Sequence, residues 1–96
     1  MTEIVWSEQA VEDFASLRAY IAGDSPRAAQ RIALHIITSV ETLLPDNPEI
    51  GRPGRVPGTR ELVITKTPFI VPYRLRGRRI EILRIYHGGR RWPDRF

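Results

Sequence analysis

His87 is the residue in this chain best suited by type to exchange a proton near neutral pH, because an imidazole titrates in that range. Arg84 precedes it by three residues, and Gly88-Gly89-Arg90-Arg91 follows it directly. Cleaving a phosphodiester without a metal needs a base for the attacking hydroxyl, an acid for the leaving oxygen and cations for the developing charge. His87, Arg84 and Arg90, joined by the carboxylate of Glu61, form a set with those types. The plainer reading of His87 is a hydrogen-bonded residue at the end of a strand. His35 lies beside an apolar helical stripe and reads as a packing or interface residue. It has no metal-ligating partner at helical spacing, so the sequence assigns no metal and no cofactor. The chain has no cysteine, which excludes thiolate nucleophiles, disulfides and zinc–thiolate sites.

The charge that would serve such chemistry is unevenly placed. Residues 1–48 carry three arginines against seven carboxylates, a net of −4. Residues 49–96 carry eleven arginines and one lysine against four carboxylates, a net of +8. Such asymmetry points to a nucleic acid or an acidic protein as partner. Arginine outnumbers lysine fourteen to one, and its planar fork suits phosphates and carboxylates. Arg74, Arg76, Arg78 and Arg79 crowd one segment, and Arg90 and Arg91 precede Trp92. Basic residues beside an aromatic can hold a phosphate backbone, or an acidic protein surface through bidentate pairs. A charged turn can equally be a solvated tip that blunts edge-to-edge aggregation. Trp92-Pro93 reads as a packing element, against the core or a partner. Glu8, Glu12 and Asp13 read as a solvated helix face.

The elements that must position these residues follow from periodicity. Ile4-Val5-Trp6 predicts a strand and Ser7 a helix N-cap. Ala10, Phe14, Leu17 and Ile21 predict an amphipathic helix over about 8–22. Ser25-Pro26 opens a second helix as N-cap and first helical residue, and its broad apolar stripe runs from Ala29 through Ile36, Ile37, Val40 and Leu43 to Leu44. Pro45 ends it. A Pro/Gly-rich loop over 45–58 carries Arg52 and Arg55. Three strands are then predicted, over Arg60–Thr65, Phe69–Arg76 and Arg79–His87, the last two joined by a Gly77-Arg78 turn. Pro72 lacks an N–H, so it implies an edge position or a bulge. The order β-α-α-β-β-β predicts one α+β domain over 1–96, a helical hairpin on one face of a small, mostly antiparallel sheet. Ile70, Ile80 and Ile82 are expected to line the other face as a docking surface. No apolar run is long enough to span a bilayer and the N-terminus has no signal-peptide pattern, so a cytoplasmic protein with no membrane role is expected.

This order, with its motifs, resembles the RelE/ParE toxin superfamily. The resemblance rests on Pro53-Gly54-Arg55 with Thr59-Arg60-Glu61-Leu62, on Phe69-Ile70-Val71-Pro72-Tyr73-Arg74, and on Ile82 through Pro93 with its Tyr86-His87-Gly88-Gly89-Arg90-Arg91-Trp92 core. It implies the toxin of a type II toxin–antitoxin pair, held in a hetero-oligomer by a cognate antitoxin. One branch of the superfamily cleaves mRNA on the ribosome, and the other poisons DNA gyrase. Ribonuclease members carry two lysines at alternate positions and an arginine on the next strand. With Tyr73 as anchor, Glu61 and Val63 stand at the lysine positions and Ile70 at the arginine position. Arg90 keeps a C-terminal basic position, and Phe96, near a functional tyrosine of those members, cannot exchange a proton.

These departures favour the ParE-like branch, with DNA gyrase as target. The alternative is a ribosome-dependent mRNA interferase acting through His87, Arg84, Arg90 and Glu61, with ribosome and mRNA as partners. A third reading is a binding module that acts only with its antitoxin in operon repression. Expected target contacts are Arg60, Arg74, Arg84, Arg90, Arg91 and Trp92. Expected antitoxin contacts are Ile70, Arg76, Ile80, Ile82 and Trp92.

Overall fold

Ser7 turns the chain from strand into helix. In the computed structural model, which describes residues 2–96, its Oγ accepts the Ala10 N–H at 3.0 Å. This caps α1 (Glu8–Asp24), which follows β1 (Glu3–Trp6) and satisfies an N–H that the first helical turn leaves without a partner. Ser25 does the same for α2 (Pro26–Leu43), accepting the Ala28 N–H at 3.1 Å, with Pro26 at the first helical position. The buried stripe of α2 is narrower than its sequence suggests. Ala29, Ala33, Ile36 and Val40 are buried, whereas Ile37 and Leu43 stay 40% and 39% exposed.

The remaining strands are β2 (Arg52–Pro53), β3 (Arg60–Val63), β4 (Phe69–Arg76), β5 (Arg79–Ile82) and β6 (Tyr86–His87). The sheet runs β1-β5-β4-β3-β2, with β6 pairing back on β4. β1 lies parallel to β5, and every other pairing is antiparallel. The turn between β4 and β5 places Gly77 at φ 62° between the paired Arg76 and Arg79, a conformation that costs glycine little. The two-residue β2 was not foreseen within the Pro/Gly loop. The α+β layout is the one expected, two helices on one face of a mixed sheet.

Ile80 and Ile82 do not line a docking face. Both are fully buried and pack with Leu62, Val71 and Tyr73 against Ile36, Val40 and Leu44 of the helical side. The register decides this: Ile4 and Trp6 pair with Ile80 and Ile82 and share their core face. Ile70 does point to the sheet's other face, opposite Tyr86, but it is buried there at 7%. A Cβ at Gly88 would meet the Ile70 Cδ1 at 3.4 Å, so the chain after β6 covers it.

Pro72 sits in a central strand, so the edge expectation fails and the bulge expectation holds. Tyr73 opposes Ile82 and Ile70 opposes Tyr86. Two residues of β4 therefore face three, Leu83-Arg84-Ile85, and the strand predicted over 79–87 is split there. The Leu83 N–H donates to the Pro72 carbonyl at 3.0 Å, and Pro72 has no N–H to return. The Leu83 carbonyl instead accepts the Ser7 hydroxyl at 2.7 Å. Sequence thus places a proline where the ladder must break.

Candidate target-binding cleft

The bulge is pinned from the helical side. Asp13 of α1 accepts the Ile85 N–H at 3.0 Å and both the Nε and Nη2 of Arg84, at 2.7 and 3.0 Å. These hydrogen bonds to Asp13 are the main reason the Arg84 guanidinium is held more basic than usual. Asp13 had read as part of a solvated helix face. Its partners lie more than seventy residues away in sequence, and no local signal reports them.

Beyond the bulge the chain folds back over the open face of the sheet. Trp92 packs edge-on to Tyr86 with ring centroids 5.0 Å apart, and Phe96 lies 6.1 Å from the same ring. Between this tail, the bulge and β1 opens a cleft of about 870 Å³. Arg74, Arg84, Arg90, Arg91 and Arg95 line it, with Tyr86 and Trp92 as its aromatic wall. Among the described residues Glu81 is the one acidic side chain lining it, and Arg74 and Arg76 already pair with it at 3.2 and 3.6 Å. The cleft therefore presents an uncompensated positive field to whatever enters.

The aromatic faces are not free for a base. Arg84 and Arg90 lie 4.8 and 4.7 Å from the Tyr86 centroid, and Arg55 lies 4.0 Å from that of Trp92. Cation–π stacking of this kind fixes aromatic and guanidinium together. The Trp92 indole N–H is buried without an acceptor among the described residues, so the docked tail forgoes one hydrogen bond.

The four residues offered as a catalytic set are not assembled. Glu61 is 1% exposed. Its Oε1 accepts Arg52 Nε at 3.0 Å, and its Oε2 accepts the Arg55 backbone N–H at 2.8 Å. Its work is to hold the Pro/Gly loop onto β3. His87 alternates to the face opposite Tyr86, edge-on to Phe69 at 6.1 Å. Its Nδ1 accepts the Gly89 N–H at 3.2 Å, and it does not line the cleft. Arg84 is committed to Asp13. Arg90 alone of the four lines the cleft without an ion-pair partner among the described residues.

The expected target contacts divide likewise. Arg74, Arg84, Arg90, Arg91 and Trp92 come together on the cleft wall. Arg60 does not join them: its Nη1 donates to the Glu49 and Gly51 carbonyls at 3.2 and 2.8 Å, on the other side of the sheet. Tyr73 holds the same loop. Its hydroxyl donates to the Pro48 carbonyl at 2.8 Å and accepts the Gly51 N–H at 2.9 Å. Burial pushes this phenol above its ordinary pKa, against the lowering pull of the Gly51 N–H. The His35 Nε2 lies 2.9 Å from the Thr65 carbonyl, tying α2 to the turn that follows β3. Among the described residues no cluster of metal-ligating side chains occurs, and no helix is long and apolar enough to cross a membrane.

A family model described as the ParE toxin of the type II toxin–antitoxin system parDE matches residues 4–92. The chain belongs to the ParE toxin family. Its toxin class implies an antitoxin partner. Among individual relatives, the putative toxin Y4kP of Sinorhizobium fredii is 42% identical over 91 residues, covering 95% of this chain and 93% of that protein. Toxin RelE2 of Caulobacter vibrioides is 37% identical over 90 residues, covering 94% and 99%. The solved chromosomal ParDE system from P. aeruginosa superposes with a TM-score of 0.80 at 32% identity, covering 91% of this chain and 96% of the other. Nine-tenths of this chain thus shares the fold of a chain of that ParDE system.

Proposed function

We propose that this toxin acts by binding its target through the arginine-lined cleft, without cutting nucleic acid, and that the target is DNA gyrase. One observation carries the reading: the cleft concentrates positive charge but no proton-transfer pair. Glu61 is sealed behind Arg52 and Arg55, His87 faces away, and Glu81 is neutralised. A ribonuclease needs a base and an acid on opposite sides of one phosphate, whereas an inhibitor needs only complementary charge and shape. Membership of the ParE family supports the same target class.

The test is a supercoiling reaction with reconstituted gyrase and increasing amounts of the full-length toxin, run beside a reconstituted translation reaction carrying a reporter mRNA. The expected result is loss of supercoiling with accumulation of cleaved gyrase–DNA complexes and an intact mRNA. Codon-located cuts that vanish in His87→Ala, with supercoiling unaffected, would overturn the proposal in favour of an mRNA interferase.

A further inference from the structure

The helical hairpin carries a second patterned face that the fold does not use. On α2 the core takes Ala29, Ala33, Ile36 and Val40. Beside that stripe, Arg27, Gln30, Leu34, Ile37 and Glu41 recur at alternating steps of three and four, the spacing of a coiled-coil seam. Leu34 and Ile37 are 64% and 40% exposed there. On α1 the residues Glu8, Val11, Ala15, Arg18 and Ala22 repeat the same spacing, with Val11 53% exposed. The two seams flank two hollows: Val11, Phe14, Ile37 and Glu41 line the sheet-proximal one, and Arg18, Ala22 and Gln30 line the one near the hairpin turn. Exposed apolar residues in a patterned row mark an interaction surface.

The charges along the seams identify the occupant. On α2, Arg27 lies one heptad before Leu34 and Glu41 one heptad after it. On α1, Arg18 of the seam follows Ala15 by three residues, and Glu12, exposed just outside the seam, precedes it by three. Each helix is therefore charge-reversed about its own midpoint, at distances of about 10 Å on α2 and about 4.5 Å on α1. A two-fold axis crossing both helices at Ala15 and Leu34 lays each helix antiparallel on its own copy. It sets Leu34 on Leu34, brings Arg27 to Glu41 of the partner and Arg18 to the Glu8 and Glu12 end. This is the self-complementarity that an isologous interface requires. Among the described residues, none of these five charged groups forms an ion pair within the chain. By contrast Asp13, Glu61 and Glu81 each hold at least one arginine. We propose that the outer face of the α1–α2 hairpin is a homodimer interface in which a second copy of this chain docks antiparallel about a two-fold axis at Ala15 and Leu34.

The experiment is sedimentation equilibrium on the full chain over a concentration series, with far-UV circular dichroism to confirm that each variant is folded. The expected mass rises from the 11.0 kDa of one chain toward twice that value. Leu34→Glu, at an exposed position that folding does not need, should raise the dimer dissociation constant at least tenfold. Arg27→Glu and Glu41→Arg should each weaken self-association, because each places like charges across the axis twice. Mixed in equal amounts, these two variants should form a heterodimer, since every cross-axis pair is then opposite in sign. A monomer throughout the series, a dimer untouched by Leu34→Glu, or failure of the mixed variants to associate would each overturn the proposal. Loss of antitoxin binding in Leu34→Glu with no change in self-association would also overturn it and assign the face to the antitoxin. None of these readouts depends on the toxin's target.

Discussion

Replacing Asp13 with alanine should destabilise this toxin more than removing any other carboxylate of α1. The Asp13 carboxylate takes three donors, two from Arg84 and one from the Ile85 backbone, with side-chain exposures of 15% for Asp13 and 25% for Arg84. A hydrogen bond to a charged group contributes about 1.5–3 kcal/mol. Truncation admits water to a site that is not fully sealed, so the three losses do not sum. The net cost is about 2–4 kcal/mol, most of it from the Ile85 N–H and the Arg84 guanidinium left without their acceptor. For a domain of this length that corresponds to a Tm lowered by roughly 8–30 °C. Asp13→Asn keeps one acceptor and should cost about 1–2 kcal/mol. Urea unfolding followed by circular dichroism gives the free energies, with an unchanged slope showing that the unfolding reaction is the same. A double-mutant cycle with Arg84→Ala should return a coupling of about 1–3 kcal/mol. A coupling below about 0.5 kcal/mol would refute the claim that this pair holds the bulge.

Three further outcomes follow from the same geometry. Ser7→Ala removes both the cap on α1 and the donor to the Leu83 carbonyl, and should cost about 1.5–3 kcal/mol in a denaturant titration. Glu61→Gln should lower stability by about 1–2 kcal/mol through its lost hold on Arg52 and Arg55, while the proposed gyrase-binding role predicts that induced expression still arrests growth. Because burial raises the Tyr73 pKa in the folded state, the unfolded chain releases that proton first. Its contribution to stability is complete below the ordinary value of 10.0 and falls as pH rises beyond it. Tyr73→Phe should make the alkaline end of a stability–pH curve shallower, and an unchanged curve would assign that slope to other groups.

The sequence by itself determined what is decided within one or two turns of chain. Ser7 and Ser25 each act on an N–H three residues on, and Gly77 supplies the positive φ of a two-residue turn. Such signals survive without any tertiary context, so both helices, the hairpin and the α+β order were legible, and the motifs over 51–93 gave the family. Pro72 announced a break in the ladder but not that the break lies in the middle of the sheet. Tertiary structure alone decided which face each strand shows and which charges meet. Ile80 and Ile82 share one face of their strand under either assignment, and only pairing with Ile4 and Trp6 turns them to the core. Asp13 and Arg84 come together because α1 crosses the bulge, and Glu61 meets Arg52 because β2 pairs with β3. Trp92 and Arg55 meet because the tail folds back over the sheet. An ion pair or a stack has no periodicity of its own, so residue types named the candidates while chain crossing decided which of them meet.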